Sequence, residues 1–441
     1  MLDLIGQLFF IMKRIALHTL GCKLNLAETA AIGRHFTDRG YDVVGLDDAA
    51  DVVVINTCSV TERADRECRQ LVRRALRHSP DAFVAVVGCY AQLQPREIAS
   101  IPGVDLILGN KDKFNVGAYV GEGKKRSQPE IAVSCIEDFH ETFVASSVGY
   151  DGRTRAFLKI QDGCDYSCSF CTIPLARGKS RSIPAETILT EAQRAAAGGY
   201  REVVLTGVNV GDYRGEKGTH LIELLKLLTA VSGLERIRIS SIEPNLLSDE
   251  LLDFWVSEPK LCKHWHIPLQ SGSDAVLRLM RRRALSETYR DRVTTIRRAV
   301  PSAGIGADVI VGFPGETDDL FEETYDFLRD LPVTYFHVFT YSERPNTPAA
   351  SFDLRVEPRV RAARSERLRS LGLRKRRLFY ESFVGRTVAV LLETKHAGAE
   401  CSGLTEEYVR VRVRAGGGRT NSIVPVTITG ASDDYCVGTL S

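Results

Sequence analysis

The sequence predicts an α/β protein in three parts: an N-terminal parallel-sheet α/β domain, a central partial (β/α)6 barrel and a small antiparallel β-barrel at the C-terminus. In the first 120 residues, short apolar runs alternate with helix-like segments, the pattern of βαβ units. Six more strand-like runs alternate with helices in the middle of the chain, and after Gly385 the pattern changes to short alternating strands. We expect domains at residues 12–120, 151–380 and 381–441, with a polar linker at 121–150.

The composition is that of an ordinary globular protein. Of 441 residues, 44% are hydrophobic and 26% charged, which excludes a disordered or collagen-like chain. Lys and Arg number 58 against 56 Asp and Glu, so any nucleic-acid surface must be a local patch. The eleven cysteines are an odd number and follow no convincing secretory segment. They therefore indicate metal or redox chemistry rather than a disulfide framework.

The apolar segment Leu2–Met12 lacks the basic region and the cleavage site of a signal peptide, and we expect Met12 to be the natural start. No run reaches the roughly 18–20 apolar residues of a membrane span. The sequence therefore predicts a cytoplasmic protein.

Each of the three N-terminal strands is followed by a cysteine. The runs Arg14–Thr19, Asp51–Asn56 and Ala82–Val87 precede Cys22, Cys58 and Cys89. Because the carboxyl ends of parallel strands share one edge of the sheet, we expect these cysteines to converge there. The alternative is that they are buried small hydrophobic residues.

The second half of the chain supplies the predicted barrels. We expect central strands near Ala156–Gln161, Glu202–Gly207, Arg236–Ser241, His264–Pro268, Gly306–Val311 and Thr334–Tyr341. We expect helices at Pro184–Ala197, Leu221–Val231, Leu246–Val256, Ser286–Val300 and Asp318–Leu331. Six strands favour an open or partial barrel, since the closed TIM form needs eight. In the last domain, strands are expected at Thr387–Glu393, Tyr408–Arg414 and Ser422–Thr429.

Cys164, Cys168 and Cys171 form a C-x-x-x-C-x-x-C motif in the loop after the first central strand. Three thiolates this close can hold three irons of an iron–sulfur cube and leave the fourth iron open to a small molecule. The alternatives are packed thiols or a zinc site. A structural zinc site needs four ligands, and no nearby fourth Cys or His fits.

The segment 163–171, with Phe170 before the third cysteine, resembles the radical S-adenosylmethionine (SAM) signature. The following segment 173–178 resembles that of the methylthiotransferases within this superfamily. The resemblance covers nearly the whole chain and implies a transferase with a three-cysteine domain, a radical SAM barrel and an RNA-binding TRAM domain. It implies SAM and two 4Fe–4S clusters, held by Cys22, Cys58 and Cys89 and by Cys164, Cys168 and Cys171, and it makes all six cysteines catalytic.

The same resemblance implies that SAM binds the open iron and lies along the strand ends of the barrel. The residues it points to for cofactor binding are Gly207, Asn209, Glu243, Gln270 and Asp308. A tight turn is the alternative for Gly207, and a helix cap or salt bridge is the alternative for Glu243. His264 and His266 alternate on one strand, and a structural role is favoured for them over a ligand role.

The segments 19–25 and 56–65 resemble the threonylcarbamoyladenosine subclass of tRNA methylthiotransferases. The isopentenyl subclass usually has Gln-Met-Asn after the first cysteine, and the ribosomal subclass has Pro-Lys-Asn. The segment Tyr341–Ala349 also resembles the tRNA enzymes, with Asn346 where glycine is common. The resemblance implies insertion of a methylthio group at C2 of N6-threonylcarbamoyladenosine next to the anticodon, at position 37. Methylthiolation of isopentenyladenosine, or of a ribosomal-protein aspartate, is the alternative.

The partners implied are tRNA, an electron donor such as flavodoxin or ferredoxin, and a sulfur donor. We expect the basic run Arg374–Arg377 to contact RNA phosphates, with a solvated helix face as the alternative. Two functions from other classes stay open: a non-catalytic RNA-binding iron–sulfur protein, and a radical SAM enzyme whose second cluster only relays electrons.

Overall fold

The computed structural model describes residues 13–59, 62–121, 123–139, 142–149, 153–395, 400–414 and 420–441. The expected start at Met12 lies outside these ranges. The chain divides into two compact units, one ending at Asp138 and the other beginning at Phe139. Across the described residues, no helix combines the length and apolar character needed to cross a bilayer.

The N-terminal unit contains one six-stranded parallel sheet in the order β2-β1-β3-β4-β5-β6. Its strands are β1 Arg14–Thr19, β2 Asp42–Val44, β3 Val52–Thr57, β4 Phe83–Gly88, β5 Leu106–Leu108 and β6 Glu130–Ala132. Its helices are α1 Lys23–Thr37, α2 Glu62–His78, α3 Cys89–Leu93, α4 Pro95–Ala99 and α5 Val116–Val120. Every residue of β3 and β4 is buried, because apolar clusters pack on both faces of the sheet.

The segment 121–150, predicted as a linker, contributes to both units. Its residues Glu130–Ala132 form β6 and pair in parallel with β5. Further along, the amide of Ser147 donates to the carbonyl of Phe157 at 3.0 Å, which fastens this segment to the first strand of the second unit. The sequence did not reveal these short strand pairings, because the segment is polar and three residues are too few to show an alternation of apolar and polar side chains.

The second unit contains the predicted open barrel. Its strands are β7 Arg155–Lys159, β8 Gln161–Asp162, β9 Arg181–Ser182, β10 Glu202–Thr206, β11 Arg236–Ile239, β12 His264–His266, β13 Gly304–Val311 and β14 Tyr335–Thr340. Its helices are α6 Ile173–Arg177, α7 Ala185–Ala197, α8 Leu221–Thr229, α9 Asp249–Ser257, α10 Asp274–Leu279, α11 Ser286–Ala299, α12 Asp318–Asp330 and α13 Pro358–Glu381.

Six parallel strands make up the barrel wall as two three-stranded groups, β7-β10-β11 and β12-β13-β14. The two groups are joined by a bridge between Ile237 and Leu261. Apolar side chains from the flanking helices and the strands form one core around this wall. The fold class predicted from the sequence is confirmed.

The C-terminal strands close into a five-stranded barrel in the order β15-β16-β17-β19-β18. They are β15 Thr387–Lys395, β16 Glu400–Leu404, β17 Arg410–Arg414, β18 Ile423–Ala431 and β19 Cys436–Leu440. The sequence predicted three of the five, and predicted an antiparallel barrel. One pair, β17 with β19, is parallel, because β19 returns across the barrel to close it.

The small barrel closes the amino end of the central barrel. Buried Arg238 donates to the carbonyls of Thr405 (3.0 Å) and Glu406 (2.9 Å) in the turn between β16 and β17. The ring of Tyr408 from the same turn stacks on His264, the first residue of β12, with centroids 4.5 Å apart. The other end of the central barrel, where its strands finish, carries the predicted site.

The basic run Arg374–Arg377 lies on α13, as the sequence predicted, but most of its charges have intramolecular partners. Lys375 donates to the carbonyl of Leu331 at 2.7 Å, and burial lowers its pKa to about 8. Arg376 pairs with Asp434 at 2.6 Å and Arg377 contacts Glu381 and Asp433. These contacts attach α13 to the neighbouring helix and to the small barrel.

Candidate active site

The C-x-x-x-C-x-x-C motif lies in the loop between β8 and α6, at the carboxyl end of the first barrel strand. Gly163 precedes it with φ of +71°, and a Cβ there would overlap the carbonyl oxygen of Lys179. The amide of Cys164 donates to the carbonyl of Gly178 at 3.0 Å. The loop is therefore folded back on the chain that follows α6, and this close approach requires glycine.

The sulfurs of this loop lie among hydrogen-bond donors. The amide of Tyr166 donates to Cys164 Sγ at 3.4 Å, and the Arg282 guanidinium lies 3.8 Å from Cys168 Sγ. Burial raises the pKa of Cys164 to about 11 and that of Cys171 to about 12. Buried thiols of this kind become thiolates when a metal binds them, and N–H donors to sulfur are the usual surroundings of an iron–sulfur cluster. The three cysteines and their donors fit a cluster.

Gln161 joins the cysteine loop to the turn after the second barrel strand. Its side chain is fully buried and donates to the carbonyl of Gly163 at 2.8 Å. Its oxygen accepts the amides of Val208 (3.0 Å) and Asn209 (2.8 Å). The predicted cofactor residues Gly207 and Asn209 therefore lie beside the cysteine loop, in a turn whose backbone is held by one glutamine. The sequence analysis did not single out Gln161.

Glu243, predicted to contact SAM, forms an ion pair with Arg282 at 2.5 Å and 3.1 Å. The Arg282 side chain is only 4% exposed and also donates to the carbonyl of Pro268 at 3.2 Å. It thus links the ends of two strands to Cys168. Arg282 follows α10 in a run of three arginines, and nothing in that run distinguishes it from its neighbours.

Gln270 and Asp308 are the remaining predicted cofactor residues. Gln270 follows the carboxyl end of β12, and Asp308 lies on β13. Gln270 has φ of +76°, and its amide donates to the carbonyl of Asp308 at 2.8 Å. The Asp308 carboxylate approaches His266 Nε2 at 3.3 Å. Gln270, Asp308 and His266 are therefore connected by polar contacts between β12 and β13.

The three N-terminal cysteines follow β1, β3 and β4, which are adjacent parallel strands, so they share one sheet edge as predicted. Gly21 has φ of +98°, and a Cβ there would lie 2.6 Å from Cys58 Cβ and 3.0 Å from Cys58 Sγ. The loop that carries Cys22 is thus seated directly on Cys58. Cys89 begins α3 and receives a hydrogen bond from the Asn110 amide at 3.5 Å.

Buried amides hold these loops in place. Asn25 donates to the carbonyls of Leu20 (2.8 Å) and Thr57 (3.0 Å), which joins the loops of the first two cysteines. Beneath the third, Lys113 donates to Glu28 at 2.5 Å and to Asn110 at 2.8 Å. Hydrogen bonds thus connect the loops that carry the three cysteines at one sheet edge, an arrangement that fits a cluster bound by three thiolates.

Comparison with known proteins agrees with this arrangement. Residues 158–328 match the family model of the radical SAM superfamily, and residues 14–109 match the uncharacterized protein family UPF0004. The first match contains Cys164, Cys168 and Cys171, and the second contains Cys22, Cys58 and Cys89.

The chain is 39% identical to a threonylcarbamoyladenosine tRNA methylthiotransferase MtaB of Bacillus subtilis, over 97% of this chain and 96% of that protein. It is also 39% identical to an MtaB of Aquifex aeolicus, over 94% of this chain and all of that protein. A tRNA-2-methylthio-N(6)-dimethylallyladenosine synthase of Wolinella succinogenes is 33% identical over 97% of this chain and 99% of that protein.

Among solved structures, the radical SAM methyltransferase TsrM of Kitasatospora setae superposes with a TM-score of 0.56 at 16% identity, covering 77% of each chain. This likeness concerns the fold alone. Taken with the two family models and the near full-length relatives, which are named as tRNA methylthiotransferases, the chain belongs to the radical SAM methylthiotransferases, whose cofactors are SAM and 4Fe–4S clusters.

Proposed function

We propose that this enzyme inserts a methylthio group at C2 of N6-threonylcarbamoyladenosine at position 37 of tRNA, as the sequence motifs predict. The observation that carries the substrate choice is the ordering of relatives. Proteins named for the threonylcarbamoyl substrate are 33–39% identical to this chain, and the two at 39% match 94–97% of it. Two synthases named for the dimethylallyl substrate are both 33% identical, over 90% and 97% of the chain.

We infer that Cys164, Cys168 and Cys171 hold the radical SAM cluster, and this assignment is supported by the donors around their sulfurs. When bound, the cluster and SAM supply a 5′-deoxyadenosyl radical, the kind of reagent that an unactivated aromatic C–H bond requires. Arg282 places a positive charge beside Cys168, which would offset the negative charge of the thiolates when they hold the cluster. Its ion pair with Glu243 keeps it there.

The SAM site that we propose runs along the strand ends next to the cysteine loop. The turn at Gly207 and Asn209, braced by Gln161, would present backbone to the methionyl part of SAM. Glu243 and Gln270 would line the site on the following strands, together with the backbone of Asp308, whose carbonyl accepts the Gln270 amide. Since Glu243 is engaged by Arg282, its part is to hold that guanidinium as much as to touch the cofactor.

We propose that Cys22, Cys58 and Cys89 hold the second cluster, and that sulfur transfer depends on it. Support comes from their convergence at one sheet edge and from the glycine contact that seats one loop on the next. A flavodoxin or ferredoxin would supply electrons, and an as yet unassigned donor would supply sulfur. A tRNA substrate is consistent with the cytoplasmic location expected from the sequence.

For the tRNA, we propose the outer face of β17 as a contact surface in place of the α13 run. Arg410, Arg412 and Arg414 alternate with buried Val411 and Val413, so the three guanidinium groups share the outside of the small barrel. Phosphate contacts need such outward cations, while the α13 charges are largely engaged within the chain.

The experiment that tests the substrate is nucleoside mass spectrometry of tRNA from cells with and without the gene. We expect the deletion to lose the 2-methylthio form of threonylcarbamoyladenosine and to accumulate the unthiolated nucleoside, with 2-methylthio-isopentenyladenosine unchanged. Loss of the isopentenyl product instead would assign the alternative substrate, and unchanged tRNA would point to the ribosomal aspartate.

Variants of the two cysteine trios separate their roles. Replacing Cys22, Cys58 and Cys89 by Ala should leave 5′-deoxyadenosine formation and abolish the methylthio product. Replacing Cys164, Cys168 and Cys171 should abolish both. Formation of 5′-deoxyadenosine by the second variant would overturn the radical assignment of these three cysteines. A wild-type protein that forms no 5′-deoxyadenosine would favour the non-catalytic iron–sulfur alternative.

A further inference from the structure

Two histidines and an aspartate converge inside the central barrel, apart from the six cysteines. His266 ends β12, Asp308 lies in the middle of β13 and His337 lies on β14. Their imidazole and carboxylate ligand atoms all lie within 4.8 Å of one another. The three strands are neighbours in one parallel sheet, and Asp308 pairs in register with His337. The convergence is therefore built by the backbone and not by a mobile loop.

We propose that His266, Asp308 and His337 form a binding site for one divalent transition-metal ion of the zinc class, distinct from both iron–sulfur sites. Imidazole and carboxylate together are the donor set that Zn²⁺ and its first-row neighbours prefer, and two histidines with one carboxylate leave coordination positions open. The inference does not depend on which nucleoside the enzyme modifies.

The distance between His266 and Asp308 suits two ligands that share one metal ion. His266 Nε2 lies 3.3 Å from Asp308 Oδ1. A charge-assisted N–H···O⁻ bond is normally about 2.7–2.9 Å long. Two ligands of a tetrahedral ion, each about 2.05 Å from the metal, lie roughly 3.3 Å apart. The pair is thus longer than a strong ion pair and spaced as an edge of a zinc tetrahedron.

The other ring nitrogen of His266 has a partner of the kind that metal-bound histidines use. Ser241, at the end of β11, places its hydroxyl 2.8 Å from His266 Nδ1. This contact orients the ring so that Nε2 faces Asp308. Partners of this kind fix the ring orientation of ligating histidines and strengthen metal binding.

The site is open enough for an ion to enter. His337 is exposed, and the side chains of Asp308 and His266 are 24% and 12% exposed. Because Tyr335 and His337 lie on the same face of β14, with ring centroids 5.5 Å apart, the imidazole of His337 is held against an aromatic neighbour. A bound ion would complete its coordination with water or another oxygen ligand from the open side.

The test measures metal content and ligand type in the full chain after both clusters are reconstituted. The protein is incubated with ZnCl₂, desalted, and analysed for zinc and iron by mass spectrometry. We expect about one zinc per wild-type chain, and we expect that zinc to be lost in His337→Asn, whose exposed position should tolerate the change. Ser241→Ala should weaken zinc binding about 10- to 100-fold without removing a ligand.

His78→Asn is the matched control, because His78 also contacts a carboxylate, Asp47 at 3.5 Å, but on the exposed surface of the other unit. Its zinc content should equal that of wild type, and iron content should be equal in all variants. X-ray absorption should show nitrogen and oxygen neighbours at about 2.0–2.1 Å. Equal zinc in wild type and His337→Asn, or a sulfur shell at about 2.3 Å, would overturn the proposal.

Discussion

The buried ion pairs at the amino end of the central barrel lead to a quantitative prediction for the stability of Glu202→Gln. The Glu202 side chain is fully buried and accepts from Arg238 at 2.7 Å, with Arg155 and Arg236 at 3.9 Å and 4.0 Å. The Arg238 side chain is also fully buried, so removal of the carboxylate charge leaves an uncompensated guanidinium. Breaking one partner of a buried pair costs about 3–5 kcal/mol. Glutamine keeps the shape and one acceptor, so we expect about 3 kcal/mol.

The matched control is Glu235→Gln. Glu235 pairs with Arg201 at 3.0 Å, but both side chains are 46% exposed. An exposed pair contributes about 0–1 kcal/mol. The two variants therefore remove the same charge from the same barrel, one from a buried cluster with three arginines and the other from an exposed pair.

Urea unfolding followed by tryptophan fluorescence measures this difference directly. The chain has two tryptophans, Trp255 and Trp265, which pack in the barrel core with centroids 5.0 Å apart. Their fluorescence thus reports the unfolding of the central barrel. Equal free energies of unfolding for Glu202→Gln and Glu235→Gln would refute the conclusion that the buried ion pairs of Glu202 stabilise the barrel.

Acidification adds a second check on Glu202. Burial raises its pKa, but the charges of Arg238 and Arg155 outweigh this and hold the pKa below the ordinary glutamate value. The carboxylate therefore contributes stability above the unfolded pKa of about 4.3, and this contribution is lost as the pH falls through the lower folded value. The stability gap between wild type and Glu202→Gln should be full at pH 7 and should shrink in acid.

Three further predictions concern other parts of the chain. Arg282→Met should destabilise the barrel by about 3 kcal/mol in the same fluorescence assay, because it leaves the Glu243 carboxylate, whose side chain is 16% exposed, without its partner. An unchanged midpoint would contradict this. Gly21→Ala should reduce the iron content from about eight to about four atoms per reconstituted chain, because the new Cβ would overlap Cys58. Gly40→Ala is the control: Gly40 also has a positive φ, but a Cβ there meets no other atom, so the variant should keep about eight irons. Lys375 has a pKa lowered by burial to about 8, so wild type should gain stability relative to Lys375→Met as the pH rises from 8 towards 10. A pH-independent difference would show that the amine is not desolvated.

The sequence by itself determined the class of the fold and the grouping of six cysteines into two trios. Apolar runs that alternate with helices specify parallel strands, and β1, β3 and β4 are each followed by a cysteine within three residues of their ends. Because strand ends share an edge, the convergence of Cys22, Cys58 and Cys89 follows from this local pattern. The second trio lies in one short loop, so its proximity required no tertiary information at all.

The tertiary structure decided which side chains surround those cysteines. Arg282 reaches Cys168 across 114 positions of sequence, and Arg238 reaches Thr405 across 167. His266, Asp308 and His337 meet because three strands stand in a particular register, and a shift of one residue would turn each side chain to the opposite face. Local sequence patterns do not specify the register between strands or which distant turn packs against them. The polar partners of the site were therefore identified only from the folded structure.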